Sequence, residues 1–286
     1  MNYPARVKVI TSMQSSHAII LRRGPSNFVA TIGWNRETDE FTMGQWLIGR
    51  ICAYRSDLSP DGRHFIYFAG KGSMPPKIPW WTAISRAPYL KAVYFQPEGD
   101  TWLGGGAFTN RGTFWINGRG KPPKEVEGIL YDPDPASTEG YCKGNIYVTR
   151  MQNRGWVAQE AGDGLVLLKK LSGRVTLKRQ YRSRSSDPAL AGDVYSALLN
   201  KPIREIEFSE WEWADIWNDR LCFTAGGKLW SGRISANGDI LEKRCLRDFN
   251  DMKFKRINAP YDVTTSDDPE NDEETTWHQL DREDIQ

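Results

Sequence analysis

Short apolar runs cut at close intervals by glycine and by Asn-Gly or Asp-Gly pairs run through this chain, and that punctuation is how hairpins look in sequence. His17–Arg23 turns at Gly24-Pro25-Ser26-Asn27 into Phe28–Trp34. Leu165–Leu171 turns at Ser172-Gly173 into Arg174–Leu177, and Leu229–Ile234 turns around Asn237-Gly238-Asp239 into Ile240–Leu246. Twelve Trp, eleven Tyr and eleven Phe give such strands large side chains to bury and favour strands over helices. One helix or long turn is expected, over 187–199, with Asp187 as N-cap and Pro188 at the first helical position.

Internal repeats narrow the choice among β folds. Gly44-Gln45-Trp46-Leu47-Ile48-Gly49-Arg50-Ile51 aligns without gaps to Gly227–Ile234, 183 residues later. That offset divides into four steps of roughly 46, a length typical of four-stranded propeller blades. A second match needs one gap: Asp57–Arg63, leading into Phe65–Phe68, aligns with Asp215–Arg220, leading into Leu221–Phe223. In both copies an acid precedes an apolar strand end, a tight turn follows, and Arg opens the next strand. The expectation is an all-β chain folded as a β-propeller over residues 1–262, five four-stranded blades fitting the length best. A β-sandwich or another closed β fold is the alternative.

The segment Ser56-Asp57-Leu58-Ser59-Pro60-Asp61-Gly62-Arg63-His64-Phe65-Ile66-Tyr67-Phe68 resembles the Ser-Pro-Asp-Gly blade signature of TolB-like and WD-repeat-like bacterial propellers. Trp213–Phe223 looks like a degenerate copy without the Ser-Pro. The resemblance implies a propeller and says little of function, because such blades serve unrelated tasks.

Charge is unevenly spread. Residues 263–286 carry nine acids against the single base Arg282, about −8, which leaves the body 37 bases against 27 acids, or +10. The tail is too acidic and too poor in apolar residues to fold alone. Its Trp277, Leu280 and Ile285 form an anchor pattern by which it could dock on the body or on a basic partner. No stretch approaches eighteen apolar residues, so no membrane span is expected. The start, Met1-Asn2-Tyr3-Pro4-Ala5-Arg6, does not read as a signal peptide, and the scattered Cys52, Cys142, Cys222 and Cys245 read as free thiols of a cytoplasmic protein.

Catalytic patterns are weak. His17, His64 and His278 lie far apart without metal-ligand spacing, no nucleophile elbow occurs, and no metal or cofactor is expected. Trp217-Asn218-Asp219 invites comparison with five-bladed glycosidases, but Asn218-Asp219 sits where a hairpin needs its turn. Gly104-Gly105-Gly106 lacks the Lys-Ser/Thr of a nucleotide loop and reads as close backbone approach. Lys169, Lys170, Arg174, Lys178, Arg179, Arg182 and Arg184 alternate between strand faces and read as a solvated edge; nucleic-acid binding by the basic body is the weaker reading.

The Pro-rich 71–86 segment carries two adjacent tryptophans, and loops of this kind line the ligand-bearing face of a propeller. Trp80, Trp81, Arg86 and Tyr89, with Trp277 in the tail, are the candidate contact residues for a protein partner. The leading expectation is a non-catalytic protein-binding scaffold or regulatory subunit. A carbohydrate-binding or glycosidase-like propeller, with acidic residues and Trp platforms at a central pocket, is the alternative.

Overall fold

Strands dominate the computed structural model, which describes residues 3–24, 27–71, 80–134, 146–161, 164–172, 174–182, 192–200 and 203–262. The first blade is an antiparallel meander of β1 (Arg6–Thr11), β2 (His17–Arg23), β3 (Phe28–Asn35) and β4 (Phe41–Ile48). The second blade follows with β5 (Arg50–Ile51), β6 (Asp57–Leu58), β7 (His64–Gly70), β8 (Trp80–Arg86) and β9 (Ala92–Pro97). In it β5 and β6 both pair with β7, and a 3-10 turn at Ala53–Arg55 separates them.

Two short hairpins come next, β10 (Gly106–Phe108) with β11 (Phe114–Ile116), and β12 (Glu125–Val126) with β13 (Ile129–Leu130). A helix, α1 (Ile146–Gln152), leads into the third blade. That blade is β14 (Val157–Ala161), β15 (Gly164–Lys170), β16 (Val175–Arg182), β17 (Gly192–Asn200) and β18 (Ile203–Phe208). The fourth is β19 (Trp211–Trp217), β20 (Arg220–Ala225), β21 (Lys228–Ile234) and β22 (Ile240–Asp248).

The apolar runs are nearly continuous because these sheets are covered on both faces, as packed blades must be. Along β2, Ala18 and Ile20 face the fourth blade with Trp213 and Cys222, while Ile19 and Leu21 face the second with Phe65 and Tyr67. Along β20 the same alternation sends Cys222 to the first blade and Leu221 and Phe223 to the third. Ile66 and Ile84 of the second blade pack on Phe108, Phe114 and Ile116 of the hairpins. Period-two alternation thus stitches the first blade to the second and fourth, and the fourth to the first and third.

Contacts of β1 with β19 and β20 close the ring. Thr224 Oγ1 donates to the Val7 carbonyl at 2.8 Å, and Arg220 pairs with Asp39 at 2.7 Å across that seam. After β22, residues 249–262 run without regular structure as a strap over the first blade to the second. Arg22 donates to the Phe249 carbonyl, Phe254 packs on Phe28 and Trp46, and Gln45 donates to the Ile257 carbonyl at 2.8 Å. Tyr261 donates to the Lys91 carbonyl, and Lys91 pairs with Asp262 at 3.0 Å.

Several expectations change. Among the described residues the arrangement has four blades, not five. Residues 106–130, where the spacing gives another blade, form only strands of two or three residues, broken by glycines and by Pro122-Pro123. The gapless repeat pairs unlike strands: Gly44–Ile51 ends β4 and crosses into β5, whereas Lys228–Ile234 is β21. The gapped repeat matches like with like, since Asp57 and Asp215 both sit on a strand paired to the next by a tight turn.

The helix expected over 187–199 is contradicted within the described part, where Gly192–Asn200 is the strand β17. Asp193, Tyr195, Ala197 and Leu199 alternate inward there, and pairing with β16 and β18 overrides the capping signal. Conversely Ile146–Gln152 is helical despite the β-formers Ile146, Tyr147, Val148 and Thr149. Residues 263–286, with Trp277, and Cys142 lie outside the described residues. Among the described residues no helix is long and apolar enough to cross a membrane.

Candidate functional site

The seam between the first and second blades opens into a cavity of about 260 Å³, far beyond the roughly 15 Å³ that holds one water. Its first wall is one face of the first blade. Arg6 lies directly opposite Arg23 in the β1–β2 ladder and Lys8 opposite Leu21, so alternate residues bring three cations and Leu21 to one surface. Its second wall is the stretch from Arg50 to Arg55, with Phe68 and Trp80 behind it. Arg6, Lys8, Arg23, Arg50 and Arg55 line this cleft, and none of its described lining residues is acidic.

Local geometry fixes the second wall. Gly49, at φ +146°, turns the chain out of β4 and into β5; a side chain there would meet the Gly70 carbonyl at 2.6 Å. Gly104 and Gly105 also have positive φ, and a Cβ would come within 2.2 Å of the Phe68 ring at Gly104 and 2.1 Å of the Arg55 carbonyl at Gly105. The glycine run therefore serves close approach, and it presses on two residues of the cleft. Arg55 Nη1 donates to the Thr101 and Leu103 carbonyls at 2.7 and 3.2 Å, and its guanidinium stands 5.3 Å from the Phe68 ring centre. Trp80 stacks on the other side chain of that pair, 5.2 Å from Phe68 at 24°.

Compensation of the cations is incomplete. Arg6 reaches Glu212 at 3.3 Å, and the Arg50 side chain makes no hydrogen bond or ion pair among the described residues. Lys8 donates to the Glu212 carbonyl and lies 3.6 Å from Asp193. Desolvation lowers the Lys8 pKa from its ordinary value, with Asp193 opposing that shift. Desolvation also pushes the Cys52 thiol up, which keeps it in the weakly nucleophilic form.

Behind Lys8 the ring interior is filled by ion pairs. Asp193 accepts from Arg179 at 2.5 Å and from Tyr54 at 3.1 Å, with Tyr147 at 3.4 Å. Burial pushes the Asp193 carboxyl up, but Arg179 and Lys8 outweigh it and hold the group below its ordinary value. Asp57 pairs with Arg154 at 2.6 Å and Asp215 with Lys169 at 2.6 Å. Arg150 donates to the Ala53 and Ser56 carbonyls, and Arg36 donates to the Ser12 and Ser16 carbonyls while covering the Trp217 ring at 3.8 Å. The void left among these groups is about 20 Å³, room for a water.

No family model matches this chain. No curated protein matches it either. What the two regions can do follows from their chemistry. The interior carboxylates are each held by a cation, so they stabilise positive charge and leave no open acid and base facing each other. The cleft is wide, cationic and partly apolar, which suits capture of an anion.

The contact residues read from the sequence do not form one surface. Trp80 lines the cleft, whereas the adjacent Trp81 points the other way, toward Phe95 and the core shared with the first blade. Arg86 lies six residues along β8, about 20 Å from Trp80 at strand rise. It pairs with Glu127 at 2.5 Å and covers the Tyr261 ring at 4.8 Å, and Tyr89 packs edge-on against the same ring. Arg86 and Tyr89 thus anchor the strap. His64 is buried and bonded to Glu127 at 2.8 Å. The run from Lys169 to Arg182 is not a solvated edge, because β16 is paired on both sides. Lys169 and Arg179 are taken up inside, and Lys178 pairs with Glu205 at 3.0 Å.

Sequence reasoning missed Arg6, Lys8, Arg23, Arg50, Tyr54 and Arg55. A signal existed for three of them, since Arg6-Val7-Lys8 is a one-sided basic alternation. Pairing it with the first hairpin would have set it against Arg23.

Proposed function

We propose that this chain is a non-catalytic binding scaffold, in which the cleft between the first and second blades takes an anionic segment of a protein partner. The observation that carries this reading is a described lining with five cations and no acidic residue, Glu212 and Asp193 standing behind Arg6 and Lys8. Propellers commonly bind through loop-rich faces and seams between repeats, and the four-blade arrangement is compatible with a scaffold. The glycosidase-like alternative needs two working carboxylates across a sugar. Asp57, Asp193 and Asp215 are instead committed to Arg154, Arg179 and Lys169, which favours the binding reading.

The test is fluorescence anisotropy with a labelled acidic peptide at low and moderate salt, comparing the full chain with Arg23→Glu and Arg50→Glu. Binding that weakens with salt and drops at least tenfold in either variant is expected. Absence of binding at low salt, or binding indifferent to both substitutions, refutes the assignment.

A further inference from the structure

We infer that the group this cleft is shaped to hold is a phosphate ester carried next to a flat ring, a refinement that rests on reading the cleft as the binding site. The first argument is electrostatic. Like charges directly opposed across a ladder destabilise it, and Arg6 against Arg23 is such a pair. On the other face of the same strand Arg22 donates to the Phe249 and Asn250 carbonyls of the strap. On the cleft face Arg6 reaches Glu212 at 3.3 Å, and Lys8, Arg50 and Arg55 share the lining with Arg6 and Arg23. A phosphate monoester brings about −1.5 to −2 charge and three acceptor oxygens to such a cluster, where a carboxylate brings −1 and two. Guanidinium forks match its geometry in paired hydrogen bonds.

The second argument is shape and polarity. Phosphate alone would leave most of a 260 Å³ cavity unfilled. The remainder of the lining includes Tyr54, Phe68 and Trp80 with Leu21, Val29 and Ile51, a surface suited to a planar apolar group. Trp80 is already fixed by its stack on Phe68, so packing a ring against this wall costs little side-chain ordering. Charge on one wall and aromatic surface on the other describe one amphipathic ligand. Two sources share this chemistry, a nucleotide and a phosphotyrosine side chain.

The experiment is titration calorimetry on the full chain with four probes: inorganic phosphate, adenosine monophosphate, a phosphotyrosine peptide, and the same peptide with Glu in place of phosphotyrosine. One of the two ring-bearing phosphates should bind at least tenfold tighter than inorganic phosphate and than the Glu peptide, and which one does so identifies the source. Arg50→Gln should weaken every phosphate probe. Trp80→Leu should weaken only the ring-bearing ones, with circular dichroism and the melting midpoint confirming that both variants fold. Equal affinity for the Glu and phosphotyrosine peptides, with no nucleotide binding, overturns the phosphate assignment while leaving the acidic-segment reading standing. Nucleotide binding without peptide binding does the reverse. No binding by any probe removes both.

Discussion

Replacing Asp193 by Asn tests the energetic account of the ring interior most directly. The carboxylate is buried and receives Arg179 at 2.5 Å, with Lys8 at 3.6 Å and the Tyr54 hydroxyl at 3.1 Å. Neutralising it leaves the buried Arg179 guanidinium without its anion and beside two further cations, Lys8 and Arg150. Removing one member of a buried pair costs about 3–5 kcal/mol, because the survivor stays charged and desolvated. For a chain of this size each kcal/mol moves the melting midpoint by roughly 2–4 °C, so a loss of about 6–20 °C is expected.

Arg179→Met should cost less than Asp193→Asn. Asp193 would keep Lys8 and two tyrosine hydroxyls, and Met would retain packing on the Tyr147 and Tyr195 rings. The pH dependence has a definite sign. A carboxyl whose folded pKa is depressed contributes stability above its unfolded value, and loses it as pH falls through the folded one. The gap between wild type and Asp193→Asn should therefore be full at neutral pH and shrink below about pH 4. Urea denaturation of both variants at pH 7 and at pH 3.5 measures this, with unchanged m-values securing the comparison. A cost under about 1 kcal/mol for Asp193→Asn, or a larger cost for Arg179→Met, would refute the reasoning.

Gly105→Ala should destabilise by more than Gly112→Ala, because both have positive φ but only Gly105 would drive a Cβ to 2.1 Å from a carbonyl oxygen. Equal midpoints in urea would show that the loop yields freely. Cys245 is exposed, whereas Cys222 is buried with its thiol pushed up to about 12, so iodoacetamide should label Cys245 in the native chain and Cys222 only on unfolding, as read by peptide mass spectrometry. Deleting residues 263–286 removes about eight negative charges and should tighten binding of an acidic peptide at low salt, with the difference fading as salt rises. Identical affinities at low salt would exclude any interplay between the tail and the cleft.

Local patterns were legible wherever one hairpin carried the information. β15 pairs with β16 and the turn at Asn237-Gly238 joins β21 to β22, as expected, and Asn218 and Asp219 both adopt positive φ, as a tight hairpin turn requires. The Asp57 and Asp215 match located equivalent strands in two blades. What the residues alone did not disclose depends on partners distant in the chain. Blade count turned on how little strand residues 106–130 could form. Gly192–Asn200 became a strand because two neighbours pair with it, which no capping signal could report. The cleft stayed hidden because its walls, on β1 to β3 and on β5, β7 and β8, come from sheets whose facing is set by packing. Trp80 and Trp81 part because alternation sends neighbours to opposite faces, and packing alone decides which of them lines the cleft.

The strap has a practical corollary for anyone shortening or tagging this protein. Among the described residues each blade is built from one contiguous stretch, and no strand is lent from one end of the chain to the other. The belt of residues 249–262, buckled at Asn250 to Ala5 and at Tyr261 to Lys91, does part of the work that a lent strand would do. A C-terminal boundary set after Asp262 keeps both buckles, whereas one set after Asp248 cuts them and frees the first and second blades to part along the line of the cleft. Two truncations only fourteen residues apart would then behave as different proteins.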